Sequence, residues 1–203
     1  MPPSTATACR IPTPSPWGSV KGAASAGCPG LNLHLVASGG PVPFDRESID
    51  VAIRRNDFEV PEGLSVFKLF DEHIGPVCTP GIARELRTPT DLARVQRLNT
   101  RTRLTAWDDW AACHQTTLPP AVEQTFEHFY LSLQAAASGL GVAIGPLALV
   151  RDDLETGRLV APFGFEADGS AYLLITVLPP EDERVVALLA WLHEQARQMP
   201  HAQ

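Results

Sequence analysis

Residues 129–144 read Phe129-Tyr130-Leu131-Ser132-Leu133-Gln134-Ala135-Ala136-Ala137-Ser138-Gly139-Leu140-Gly141-Val142-Ala143-Ile144. The first ten are leucine- and alanine-rich with few breakers, a helical composition. Gly139-Leu140-Gly141 stops the helix, because glycine takes the left-handed conformation that commonly ends one. Val142-Ala143-Ile144 then forms a compact apolar strand. A helix delivered by a tight glycine turn into a buried strand is a unit of α/β architecture.

The same alternation extends outward. Upstream, Leu31, Leu33 and Leu35 alternate with Asn32 and His34, and Ser38-Gly39-Gly40-Pro41 ends that strand as a turn. Ile49 to Arg54 and His73 to Cys78 read as two further strands, with a helix from Pro80 to Leu86. Thr105 caps a helix carrying Trp107 and Trp110 on one face. Downstream, Tyr172 to Val177 reads as a strand. Glu181-Asp182-Glu183 is an acidic first turn for a helix bearing Val185, Val186, Leu188, Leu189 and Leu192. Strands alternating with helices predict an α/β fold with a largely parallel sheet.

Residues 1–28 differ in texture. Pro2, Pro3, Pro12, Pro14 and Pro16 stand among Ser, Thr, Ala and Gly with no helical or strand period. This stretch is expected to be an unstructured tail before a domain spanning 29–203.

The 203 residues carry a net charge of −7, which repels polyanions and argues against a grip on nucleic acid. Cys9, Cys28, Cys78 and Cys113 are widely spaced and form no CxxC pair, a pattern expected of a reduced, cytoplasmic protein. No apolar run reaches the roughly 18 residues of a membrane span. Ser25-Ala26-Gly27-Cys28 faintly resembles a lipoprotein box, but no apolar run precedes it.

Catalytic signatures are missing: there is no Walker A loop, GxGxxG, HExxH or GxSxG. Asp108-Asp109 and Asp152-Asp153 are expected at helix starts, where acids suit the dipole. Cys113 and His114 are adjacent, so on a helix they point apart. Neither an enzyme nor a metal or cofactor is expected. The binding signals are better. Phe126 to Tyr130 joins a strand end to a helix start, whose free N–H groups favour an anion. Ser38-Gly39-Gly40 and Cys78-Thr79-Pro80 also follow strands, and the three turns are expected to converge on one cleft.

The ordered elements resemble a known family. Ile49 to Arg54 is similar to the "DvAIR" strand of LysR-type regulators, and Gly75 to Pro80 to their "PVCSP" element. Thr88-Pro89 with Asp91-Leu92, Trp107 with Trp110, Gln134 to Ile144 and Gly157 to Phe163 match further motifs in order. Tyr172 and Trp191 stand where the family has "Y.l" and "WL", and the subgroup of β-lactamase and glycine-cleavage regulators is the most similar. The resemblance implies the effector-binding domain of such a regulator, with two Rossmann-like lobes of the type 2 periplasmic-binding-protein architecture. Lobe I would take 29–78 and 163–203, and lobe II 79–162. A small, anionic effector would bind between them, with contacts from Ser38, Gly39, Thr79, Phe126, His128, Phe129 and Tyr172. His128 and Phe129 depart from the hydroxyl residues common there. A homodimer or tetramer is implied, with no membrane and no direct DNA contact. No counterpart of the helix-turn-helix, or of the domain's opening strand and helix, is legible in 1–28. The first lobe is therefore expected to be incomplete, and the composition of 1–28 fits a mis-framed gene start. A solute-binding protein of the same architecture is the alternative.

Overall fold

The computed structural model describes Ala6–Arg10, His34–Ser38 and residues 49–198. Their elements are strands β1 (Ala6–Arg10), β2 (His34–Ser38), β3 (Val51–Arg55), β4 (Ser65–Val77), β5 (Arg97–Thr100), β6 (Glu123–Phe126), β7 (Val142–Pro146) and β8 (Glu166–Thr176). The helices are α1 (Pro80–Ala83), α2 (Ala106–Cys113), α3 (Phe129–Ala137), α4 (Leu147–Glu155) and α5 (Glu183–Arg197). They form two compact units: unit 2 is Asp71–Gly169, and unit 1 takes the described residues before Asp71 together with Ser170–Gln198. The boundaries thus fall earlier than 78/79 and later than 162/163.

In unit 1, β1 pairs antiparallel with both β2 and β3, and β3 pairs antiparallel with β8. Val51, Leu69 and Leu174 line one face, on which α5 lays Leu188 and the flanking Leu189, Trp191 and Leu192. The start of α5 is fixed by Asp182, whose side chain accepts from the Arg184 backbone N–H.

In unit 2, β7 lies between β4, to which it is antiparallel, and β5, to which it is parallel. β6 continues the sheet parallel to β5. Alternation along the strands sends Ile74, Val142 and Ile144 to the α2 face, against Trp107, Trp110 and Ala111. Val77, Leu98 and Ala143 go to the other face, with Leu133 of α3 and Val150 of α4. Gly139, at φ +81°, ends α3 as the sequence predicts. Gly141 is required for a different reason: a Cβ there would lie 2.2 Å from the Gln96 carbonyl oxygen. That carbonyl accepts the Val142 N–H at 2.9 Å and so holds β7 beside β5.

Several expectations are corrected. Antiparallel pairing is more prominent than the predicted parallel sheet: β8 meets β3 and β4 meets β7 in antiparallel register, while β5 runs parallel to β6 and β7. Part of the supposed tail, Ala6–Arg10, is a strand between β2 and β3. The prolines bracket this stretch rather than interrupt it, so each of its residues keeps a ladder N–H. The rest of 1–28 lies outside the described residues. The strand seen at His73 begins at Ser65, and the helix from Pro80 ends at Ala83. Asp152-Asp153 sit in the second half of α4, not at its start.

The β1 assignment predicts that Ala8→Pro removes a donor from a strand paired on both sides, opposite Val36 and Ala52. Thermal unfolding should show a loss of about 3 kcal/mol or more. An unchanged midpoint would remove residues 6–10 from the sheet.

Candidate functional site

Because β5, β6 and β7 run parallel, Thr100, Phe126 and Pro146 leave the unit 2 sheet at one edge. Carboxyl ends of parallel strands are where α/β folds collect ligands. After β5 comes a tight turn, Arg101–Arg103. The Thr100 hydroxyl is buried and lies 2.9 Å from that of Thr102. After β6, Arg101 reaches Glu127 at 3.1 Å, an exposed pair that ties the two turns together without contributing much stability.

His128 occupies the N-cap position of α3 in extended conformation, but its side chain does not cap the helix. The imidazole instead stacks on Tyr130 at 5.6 Å and 18°, with its Nδ1 buried and without a hydrogen-bond partner. The first-turn N–H groups of a helix have no partners within it, so this edge presents donors and two hydroxyls.

The anticipated contacts separate on this frame. Phe126 and Phe129 pack against the core, which leaves backbone rather than ring as their means of contact. Thr79 lies elsewhere: β4 runs against β7 with Val77 opposite Ala143, so Thr79 emerges at the sheet edge opposite Thr100 and Phe126. The 126–130 turn and Thr79 therefore do not converge. In unit 1, the register sets Ser38, the end of β2, opposite Ala6, while Thr7 faces Ile53 and Arg55 faces Tyr172. Ser38 and Tyr172 thus share one edge of that sheet. The Tyr172 ring packs on Phe70 at 5.0 Å. Gly39 lies outside the described residues.

Sequence reading missed Arg103. Three residues beyond β5 it turns inward, and its guanidinium meets Glu72 at 3.1 Å, Asp109 at 3.0 Å and Asp168. Arg103, Glu72 and Asp168 are nearly inaccessible. Burial alone would lower the Arg103 pKa; the carboxylates of Glu72 and Asp168 outweigh it and hold the guanidinium above its ordinary value. The available signal was the run Thr100-Arg101-Thr102-Arg103-Leu104-Thr105, too polar for an idle connection. Cys78 is buried, which pushes its thiol up to about 11 and leaves it a poor nucleophile. Among the described residues no cluster of three or more His, Cys, Asp or Glu could hold a metal ion, and no helix is long and apolar enough to cross a membrane.

The family model of the LysR substrate binding domain matches residues 22–197. The chain belongs to the LysR substrate-binding domain family. This LysR-type domain is 39% identical over 173 residues to the HTH-type transcriptional regulator TrpI of Pseudomonas aeruginosa, covering 82% of this chain and 58% of that one. It is 30% identical over 177 residues to the glycine cleavage system transcriptional activator of Escherichia coli, covering 83% and 56%. The effector domain of the regulator AmpR of Pseudomonas aeruginosa superposes with a TM-score of 0.63 at 27% identity, covering 77% of this chain and 76% of that one. The LysR-type domain thus has the two-lobe, periplasmic-binding-protein-like α/β fold of effector-binding domains, as the sequence resemblance implies. It spans little more than half the length of these curated relatives, which are named transcriptional regulators.

Arg103→Met should leave Glu72 and Asp168 buried without their counter-charge, costing about 3–5 kcal/mol in urea unfolding. Arg103→Lys should recover part of that loss, since it keeps the charge but not the fork. Equal midpoints for native and Arg103→Met chains would show that the cluster organises nothing.

Proposed function

We propose that this chain senses a small, reversibly bound metabolite on behalf of a LysR-type transcriptional regulator. It acts in the cytoplasm as part of a homodimer or tetramer, catalyses no reaction, and leaves DNA recognition to another part of that regulator. One observation carries the reading: in a chain of this family, the turns after β5 and β6 bring Thr100, Thr102, His128 and the first turn of α3 to one edge of the sheet. Donors and hydroxyls on rigid strand ends suit reversible recognition of a polar molecule. The Cys78 thiol, buried and held protonated, offers no nucleophile. Ser38, Gly39 and Tyr172 are also proposed as effector contacts, as are the backbone groups of Phe126 and Phe129. Thr79 is left out because it lies at the far edge of unit 2.

Calorimetry of the purified chain against a panel of amino acids, nucleotides and organic acids tests this. A compound that binds should raise the unfolding temperature. Thr100→Val should weaken that compound by about 1 kcal/mol, roughly fivefold in Kd, and Thr79→Ala should leave it unchanged. A ligand indifferent to Thr100→Val and sensitive to Thr79→Ala would place the site at the opposite edge.

A further inference from the structure

Arg54 closes on β3 with its side chain almost wholly buried, at 3% exposure. Its neighbours along the strand show which way it faces. Val51 and Ile53 belong to the cluster under α5, and Leu174 and Tyr172, opposite Ile53 and Arg55, belong to it too. Residues alternate across a strand, so Arg54 points to the other face, with Ala52 beside it and Leu173 and Ile175 on β8. Those neighbours are apolar.

The guanidinium is left short of acceptors there. Its Nε is buried and has no hydrogen-bond partner. Asp57 is exposed; its charge acts on Arg54 but does not offset the burial, and its carboxylate lies 3.8 Å from Arg55, whose Nε donates to the Ser170 hydroxyl at 2.8 Å. Arg54 has instead the ring of Phe58, 4.2 Å from its central carbon. An aromatic ring covers the face of a guanidinium and leaves its in-plane N–H groups unused. An arginine cannot shed its proton to relieve burial. A flat cation covered on one face, with donors in its plane, matches a flat or tetrahedral oxyanion that accepts two parallel hydrogen bonds.

We propose that Arg54 is the anion-recognition residue of this chain, and that the effector carries a carboxylate or phosphate which docks on its guanidinium edge. This rests on the effector-sensing reading and deepens it. The position agrees: Ser38 stands opposite Ala6, and Ala6 is next to Thr7, the partner of Ile53. Arg54 therefore lies at the edge where β2 ends, two strands away, or about 10 Å. A buried guanidinium whose Nε has no acceptor, and whose desolvation outweighs the attraction of Asp57, costs stability in the free protein and recovers it when an anion arrives.

Thermal unfolding of the purified chain in inorganic phosphate, in acetate, and in chloride at matched ionic strength reads this out. The native chain should show a saturable rise in midpoint with phosphate or acetate beyond the chloride control, and the arm that responds names the oxyanion. Arg54→Met should weaken that response at least tenfold while leaving the ligand-free midpoint equal or higher. Arg54→Lys, which keeps the charge without the fork, should respond between the two. The proposal is overturned if neither anion exceeds chloride, if Arg54→Met responds as the native chain does, or if ligand-free Arg54→Met is clearly less stable, which would make Arg54 structural. A neutral metabolite that stabilises native and Arg54→Met chains equally would overturn the anion assignment alone and leave effector sensing standing.

Discussion

The ion cluster at Arg103 is the constraint on which unit 2 turns. One guanidinium gathers Glu72 from β4, Asp168 from β8 and Asp109 from α2, and it does so three residues after the end of β5. Two of those carboxylates and the cation are out of water, so desolvation consumes much of the attraction. The return is geometric. Three remote segments are held to the turn that starts at Thr100, so the hydroxyl edge of the sheet cannot shift without disturbing buried charge. β4 and β8 are also the strands that run on from unit 2 into unit 1, and both are gripped within two residues of the boundary.

That cluster also explains what the sequence could and could not disclose. Residues 129–144 were legible because every cue in them is local: helix formers, a left-handed glycine, an apolar run. β4 was seen only from His73 onward, since Lys68, Asp71 and Glu72 break the apolar pattern before it. Glu72 is buried because its partner lies 31 residues away, and Asp168 because its own lies 65 away. No local pattern shows a counter-charge at that separation. Family resemblance supplied the fold that periodicity alone left open, but it gave no account of Arg103 or Arg54.

The turns were legible, but their placement was not where strand direction mattered. A turn after a strand is visible in a sequence; the edge on which it emerges is not. The turn after β6 lies on the same edge as Thr100 because β6 is parallel to β5, and Thr79 lies on the far edge because β4 is antiparallel to β7. The strand at Ala6–Arg10 was hidden by the reverse error. Proline content was averaged over a whole tail, although the prolines merely bracket five residues.

Gly141 bears on how this domain can vary by inheritance. Its α-carbon passes so close to the Gln96 carbonyl that the smallest side chain would collide with backbone, which cannot rotate aside. Any replacement must part β7 from β5, and β5 leads directly into Thr100 and Arg103. Lineages that lost this glycine would disturb the Thr100 edge and the ion cluster together. Codon 141 therefore tolerates no side chain without moving backbone, a constraint that the half-exposed Leu140 beside it does not share through burial.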